Sequence, residues 1–316
     1  MKRVAIAAAL ILAASTAMAI SKIDALSLVP NDAVTIGVVH INQIRTSPLS
    51  AMLFEHTDNI SSNGEADKFL TEAGLDPAKD VDVVVVATSP RTNLGREADV
   101  VVLADGRFNI ERLSSALVSR GAVKKNGYLI LPDSDSKGAV AFPDSHLAIM
   151  GTETAVTEAL ATRASGGNTF ATASFLGGYL SRVDANATAW ALVDVARASR
   201  LTGAPHVPRG RDMSGEALAA AVRNISTVGL WATDTGNALK LGAFGMANDA
   251  ETLELLEDTL RGVLSAMRLA VKDTQPDLVS VLRRFDVERT KDSVTINGTI
   301  PEESLRKVMT RHRAEK

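Results

Sequence analysis

The sequence predicts an α+β protein of two similar halves, each a mainly antiparallel sheet with helices packed on one face. The first observation is that β-branched runs of strand length alternate with amphipathic helical stretches. The second is that two or more strands follow one another between helices, which is typical of antiparallel sheets. The third is that the order of elements repeats after about 150 residues, which indicates internal duplication.

The first half is expected to begin with the strand Ala33–Asn42, which follows a Pro-Asn-Asp turn. Pro48 then opens a helical stretch. Apolar runs bounded by turn residues predict the later strands Val81–Thr88, Asp99–Ala104, Tyr128–Leu131, Gly138–Phe142 and His146–Met150. Helices are predicted over Ala66–Ala73, ending at Gly74, from Asn109 to a stop at Gly121, and from Thr152.

The second half repeats this order with the predicted strands Thr188–Val195, Thr227–Thr233 and Leu239–Met246. Asn248, with Glu251 three residues later, forms a capping signature that opens a long amphipathic helix. Its apolar stripe consists of Leu253, Leu256, Leu260, Val263, Leu264 and Met267. The end of the chain is expected to form a hairpin of Val281–Val287 and Asp292–Thr299, followed by a helix that starts at Pro301.

The spacing of matching segments defines the predicted duplication. Val38–Ile41 matches Leu192–Val195 at a distance of 154 positions, and Asp82–Thr88 matches Thr227–Thr233 at a distance of 145. The polar, Gly-containing stretch 164–168 is the predicted boundary. The halves are therefore expected at 20–168 and 169–316.

Residues 1–19 have the three parts of a secretory signal peptide. Lys2 and Arg3 supply the positive charge, Val4–Ala14 supplies the uncharged apolar run, and Ala17-Met18-Ala19 fits the pattern that signal peptidase cleaves after. The alanine-rich run is shorter than the roughly 20 apolar residues of a membrane span, and no later stretch approaches that length. We therefore expect a periplasmic or secreted protein without an integral span after cleavage.

Composition excludes several classes of function. The chain has no cysteine, which removes disulfides, thiol nucleophiles and Cys-ligated metals. The formal net charge of −3 gives no basic field for nucleic acid. Aromatic residues make up only 4 % of the chain, which disfavours a stacking platform for sugars or bases. No nucleophile elbow, dinucleotide fingerprint or Walker loop occurs, and no cofactor is expected.

The loop that begins at Asp133 partly fits a calcium-binding loop. Asp133, Asp135 and Asp144 occupy acidic positions of that pattern, and Gly138 occupies its glycine position. Lys137, however, places a cation where an oxygen ligand is required, and predicted strands flank the segment. The interpretation that the sequence favours is a hairpin loop of turn-forming residues, with the metal site as the alternative.

The segment Arg200–Asp212 is a candidate contact loop. It combines two prolines with His206, Arg209 and Arg211 in a long irregular stretch, and such loops are often functional. An anionic partner would suit these side chains, and a mobile surface loop is the alternative. The five histidines are at least 16 residues apart, so the sequence contains no local zinc motif.

Three segments resemble a loosely defined family of exported bacterial proteins of unknown function. They are the turn Val29–Ala33, the segment Gly74-Leu75-Asp76-Pro77 with Asp80–Val85, and the strand-into-helix segment His146–Glu153. The resemblance covers mainly residues 29–160. It implies an exported α+β protein and supplies no active site.

The sequence favours an exported, non-enzymatic binding or interaction protein of the periplasm or cell envelope, with an unknown protein or small-molecule ligand. One alternative is a cell-envelope hydrolase whose site forms only in three dimensions, with two or more of His40, His146 and His206 meeting in a cleft. A second alternative is a structural protein that self-associates through the long helix of 248–273. An apolar stripe too wide to be buried within one chain would indicate the latter.

Overall fold

A computed structural model describes residues 25–45, 47, 65–91, 98–132, 138–168, 170–202, 224–273 and 275–307. The chain divides into two compact units that do not follow the chain order. Unit 1 takes its described residues from the ranges Met1–Ala33, Phe54–Ser89 and Asp99–Gly178. Unit 2 takes its described residues from Val34–Leu53, Pro90–Ala98 and Tyr179–Lys316.

The described residues of unit 1 form six strands, in the order β2-β3-β7-β6-β5-β4. The strands are β2 (Val81–Pro90), β3 (Ala98–Gly106), β4 (Val123–Lys125), β5 (Tyr128–Ile130), β6 (Gly138–Asp144) and β7 (Leu147–Thr152). Its helices are α2 (Glu65–Ala73), α3 (Pro77–Asp80), α4 (Ile110–Ser119), α5 (Glu153–Ala164) and α6 (Phe170–Ala173). A 3₁₀ helix, Leu176–Arg182, follows α6.

Six strands are described in unit 2, in the order β11-β12-β10-β9-β8-β1. The strands are β1 (Thr35–Val39), β8 (Ala189–Asp194), β9 (Thr227–Asp234), β10 (Ala238–Met246), β11 (Asp286–Arg289) and β12 (Ser293–Pro301). Its helices are α1 (Ile41–Ile44), α7 (Val195–Thr202), α8 (Ala250–Val271) and α9 (Pro276–Leu282). Residues 302–307 are also helical.

The pairing of the strands confirms a mixed α+β protein with antiparallel sheet. All strand pairs whose register is described are antiparallel, including β8 with β9 and β10 with β12. Strand β1 pairs with β8, so that Thr35 lies opposite Val193 and Val39 opposite Ala189. The first strand of the chain therefore belongs to the same unit as the C-terminal half.

Alternating burial explains why the valine-rich runs form strands. In β2, Val81, Val83, Val85 and Ala87 are buried, while the residues between them are half-buried or exposed. Leu103 and Ile149, opposite each other in β3 and β7, are fully buried. A two-residue period places one set of side chains in the core, because successive side chains of a strand point to opposite faces.

The core of unit 2 lies between α8 and the strands β11 and β12. Leu253, Leu256 and Leu264 of the helix pack with Val287 of β11 and Val294 of β12. The polar side of this layer is tied to the sheet as well, since the Arg261 guanidinium donates to the Val287 carbonyl at 2.8 Å. In the part of the chain that the structure describes, no helix combines the length and apolar character needed to cross a membrane.

Several boundaries differ from the sequence prediction. The segment Val281–Val287 was expected to be a strand, but Pro276 starts α9, which runs to Leu282, and only Asp286–Arg289 forms β11. Proline at the first helical turn and Asp277 beside it favour a helix there, which overrides the β-branched residues that follow. The cap of α8 is Asp249 rather than Asn248. The helix expected from Pro48 lies outside the described residues.

Two neighbouring glycines give a matched test of packing at α6. A Cβ on Gly177 would lie 2.1 Å from the carbonyl oxygen of Phe170, whereas a Cβ on Gly178 would have nothing within 4 Å. The Gly177 N–H also donates to Ser174 Oγ at 2.8 Å, so the segment has little freedom to shift.

We expect Gly177→Ala to lower the free energy of unfolding by about 1–3 kcal/mol, because the added methyl group must displace backbone. The control Gly178→Ala is expected to change it by less than about 0.5 kcal/mol. Urea denaturation of the two variants is the measurement. Equal stability of Gly177→Ala and the unsubstituted protein would contradict this packing.

Candidate interaction surface

The acidic residues proposed for calcium are not all described. Asp133 and Asp135 lie outside the described residues. Asp144 accepts a hydrogen bond from the His146 N–H at 2.7 Å and pairs with the Arg163 guanidinium at 2.5 Å. This carboxylate therefore links the β6–β7 turn to α5. Within the described ranges, no group of three or more His, Asp or Glu side chains is placed to hold a metal ion.

The contact-loop residues His206, Arg209 and Arg211 also lie outside the described residues. Two of the histidines considered for an enzymatic site are described. His146 Nδ1 lies 3.0 Å from the Gly106 carbonyl oxygen, at the end of β3. The backbone N–H of His40 donates to the Thr188 carbonyl at 2.8 Å. The His146 imidazole therefore has a structural contact, whereas the bond of His40 belongs to its backbone and assigns no role to its imidazole.

A small acidic cluster lies where β3 meets α5 in unit 1. Asp99 is buried and accepts a hydrogen bond from Thr152 Oγ1 at 2.8 Å. Partial burial is the largest cause that raises the pKa of Glu158, and the charges of Asp99 and Asp32 raise it further. These carboxylates would repel a further negative charge near Glu158.

A second polar group joins the β4–β5 hairpin to α5. Glu153 Oε1 accepts hydrogen bonds from Lys125 Nζ at 2.7 Å and from Tyr128 Oη at 2.8 Å. The bond to Glu153 is the main cause that raises the pKa of Tyr128 and of Lys125. Both groups therefore keep their protons at neutral pH. Their hydrogen bonds hold the β4–β5 hairpin against α5, and neither group is activated as a nucleophile.

Helix α8 presents a different kind of surface. Asp249 caps it by accepting from the Thr252 N–H at 2.7 Å, and this bond is the main cause that lowers the pKa of the Asp249 carboxyl. Toward its C-terminal end, Arg268 donates to the Leu282 carbonyl at 2.9 Å. The cap stabilises the first turn of α8, and the Arg268 bond holds its C-terminal part against α9.

The side of α8 that faces away from this core carries large apolar residues. Leu255 is 48 % exposed and Leu269 is 73 % exposed. Gly262 lies midway between them, seven residues from each, and all three share one side of the helix by the 3.6-residue period. We call this side the outer face of α8, defined by Glu251, Leu255, Asp258, Gly262, Ala266 and Leu269, all of them exposed.

The apolar stripe predicted from the sequence is the inner face of α8, and the outer face is not part of that prediction. Leu253, Leu256 and Leu264 of the predicted stripe are buried, whereas Met267, at the end of that stripe, is 47 % exposed. Leu255 and Leu269 have no part in the stripe. Leu255 and Leu269 are fourteen residues apart with Gly262 between them, so no apolar repeat in the sequence indicates this face.

We expect Glu158→Gln to stabilise the protein slightly at neutral pH. The folded state raises the pKa of this carboxyl, so its ionisation costs free energy in the folded protein. This cost is absent below the unfolded pKa of about 4 and complete above the folded pKa. Since the side chain is exposed and screened by water, the gain is roughly a few tenths of a kcal/mol.

The measurement is urea denaturation of the Glu158→Gln variant between pH 3 and pH 7, with Glu288→Gln, at an exposed position of β11, as control. The difference from the unsubstituted protein should disappear as the pH falls through the folded pKa. A gain that is as large at pH 3 as at pH 7 would rule out ionisation as its cause.

Comparison with known proteins defines the fold alone. No protein-family model matches the chain, and no curated protein matches it. Among solved structures, crystal form III of TP0453 is similar with a TM-score of 0.53 and 13 % identity, covering 90 % of this chain and 97 % of that one. Crystal form I of TP0453 gives a TM-score of 0.47 with 11 % identity, covering 91 % and 97 % of the two chains.

Proposed function

We propose that this chain is an exported, non-enzymatic interaction protein of the bacterial envelope that binds a partner protein through the outer face of α8. The observation that carries the proposal is the exposure of Leu255 and Leu269 on a helix whose opposite side is already packed. Apolar side chains repeated on one surface, rimmed by charges, are typical of protein contacts.

The position of the helix supports this role. Glu257 pairs with Arg289 of β11 at 3.0 Å, and Arg261 pairs with the same glutamate at 2.9 Å. These contacts, together with the buried leucines, hold the outer face in one orientation. A surface held rigidly before binding loses less conformational entropy when a partner docks, which favours affinity.

The proposed export is supported by the residues of the signal peptide. Lys2 and Arg3, the apolar run Val4–Ala14 and the cleavage pattern at Ala17–Ala19 occur in the order that the secretion machinery reads. These residues lie outside the described part of the structure. The proposal therefore rests on their sequence.

The internal duplication is also a proposal, and the strand orders support it. Four strands of unit 1 follow the order β2-β3-β7-β6, and four strands of unit 2 follow the matching order β9-β10-β12-β11. Gly37 and Ala191, equivalent by the 154-residue spacing, lie opposite each other in the β1–β8 pair. Two equivalent positions meet in this way where a two-fold axis relates two copies of a motif.

An experimental structure of the protein would test the duplication. We expect β2, β3, β6 and β7 to superpose on β9, β10, β11 and β12 in the same chain direction. The buried residues of β2 and of β9 all have odd numbers, so equivalent positions of these two strands should be an even number of residues apart, and the 145-residue spacing of the sequence match is shifted by at least one residue. A superposition at an odd spacing would contradict the duplication, because it would exchange the two faces of the strands.

The proposed function predicts a stable complex in the native envelope. We expect native mass spectrometry of the protein, recovered from its own host, to show a chain beginning at Ile20 within a larger assembly. Leu269→Glu should remove the assembly, because it places a charge in an apolar contact. Val123→Glu, at a position 62 % exposed on β4, is the matched control and should retain it.

Recovery of the unsubstituted chain as a bare monomer would contradict the proposed function. Loss of the complex in both variants would show that the effect is not specific to α8 and would contradict a contact there. Circular dichroism of the two variants, expected to be unchanged, shows that the charges act on binding and leave the fold intact.

A further inference from the structure

We infer that the partner docked on the outer face of α8 is a second copy of this chain, with the two α8 helices antiparallel around a two-fold axis at Gly262. The inference rests on the proposed function and names its partner. Three independent features of the helix lead to it: the position of Gly262, the symmetric placement of the two leucines, and the distribution of charge.

Among the residues that the structure describes, none packs closely enough on position 262 to require a glycine. Gly262 lies in the middle of a 22-residue helix, and a Cβ added there would have nothing within 4 Å. Glycine in an exposed helix interior is less favourable than alanine, because it loses more backbone entropy when the helix forms. Such a glycine is explained when another backbone must approach closely, and Ala266, one turn later, extends the same small surface.

Leu255 and Leu269 are placed symmetrically about this glycine. Each is seven residues from it, so each lies about 10.5 Å along the helix axis from the proposed two-fold axis. In an antiparallel pair, Leu255 of one copy therefore meets Leu269 of the other, and the same contact occurs twice. A self-complementary surface of this kind is what a two-fold dimer requires.

The charges of α8 distinguish antiparallel from parallel pairing. The part of the helix before Gly262 carries Glu251, Glu254, Glu257, Asp258 and Arg261, and its net charge is −3. The part after Gly262, up to the exposed Asp273 beyond the C-cap Lys272, has a net charge of +1 from Arg268, Lys272 and Asp273. Antiparallel helices place the acidic part of one copy beside the basic part of the other and oppose the helix dipoles favourably. Parallel helices would place acid against acid.

The same charges argue against a lipid surface as the occupant. Glu251 and Asp258 lie on the outer face itself, beside Leu255. Helices that bind at a membrane interface carry Lys and Arg on their polar side, because lipid headgroups are anionic. Acidic residues beside the leucines would be repelled there, whereas the basic part of a second α8 attracts them.

Cysteine cross-linking provides a direct test, since the natural chain contains no cysteine. We expect the full-length mature protein with Gly262→Cys to form a disulfide-linked dimer under mild oxidation, because position 262 meets itself at the two-fold axis. Leu255→Cys alone should not cross-link. An equimolar mixture of Leu255→Cys and Leu269→Cys chains should give the mixed dimer selectively.

A dissociation experiment tests the same axis without cysteine. Gly262→Arg brings two like charges together at the axis, so we expect dimer affinity, measured by sedimentation velocity, to fall about tenfold or more. The helix of the monomer should become more stable, because arginine is a better helix former than glycine. The control Gly178→Arg, at an exposed glycine whose Cβ would meet nothing, should leave the dimer unchanged.

The outcomes separate this inference from the proposed function. Selective 255–269 cross-links together with a two-chain mass support both. Self-linking of Leu255→Cys would indicate parallel pairing and overturn the inference. A native complex with a different protein, lost in Leu269→Glu, would keep the proposed function and overturn the inference. A monomer that instead binds anionic vesicles through Leu269 would overturn both.

Discussion

The pairing of β1 with β8 is the constraint on which the organisation of this chain depends. Five residue pairs, from Thr35 with Val193 to Val39 with Ala189, join strands that are about 150 residues apart in sequence. The chain enters unit 2 three times, first at Val34 with β1, then at Pro90, and finally after Gly178. A cut at one point in the sequence would therefore not separate the two units.

The packing of α8 on β11 and β12 is the second constraint, and it determines which side of the helix is buried. Leu253, Leu256 and Leu264 provide the apolar contact, and the carbonyls of Val287 and Leu282 accept bonds from Arg261 and Arg268. Since these contacts use one side of the helix, they also determine which residues face solvent. The residues of the outer face are therefore exposed because the opposite side of the helix packs on the sheet.

Much of the fold could be predicted from the sequence, because its signals are local. These signals depend on residues close together in the chain. Examples are the alternating valines in β2, the Asn109 cap of α4, and the positive-φ glycines Gly74 and Gly121 that end helices. The assignment of β1 to unit 2 could not be predicted in this way, since pairing between distant strands leaves little local trace. At 281–287 the β-branched residues predicted a strand, but a helix that begins at Pro276 continues to Leu282.

The candidate site was less accessible to sequence reasoning. The residues first considered, Asp144 and His146, turned out to fasten turns to neighbouring elements. Leu255 and Leu269 become informative only when the buried side of α8 is known, because exposure depends on what the rest of the chain covers. Gly262 becomes informative for the same reason, because only the structure shows that the space around it is open.

The distance between β1 and β8 also has a consequence for the newly made chain. Ribosomes add about 5–20 residues per second, so β1 waits about 8–30 seconds before its partner strand has been synthesised. During that time its backbone N–H and C=O groups and the side chains of Ile36 and Val38, buried in the finished protein, lack their final partners. The first strand of the nascent chain therefore remains without its β8 partner until the second half of the chain has been made.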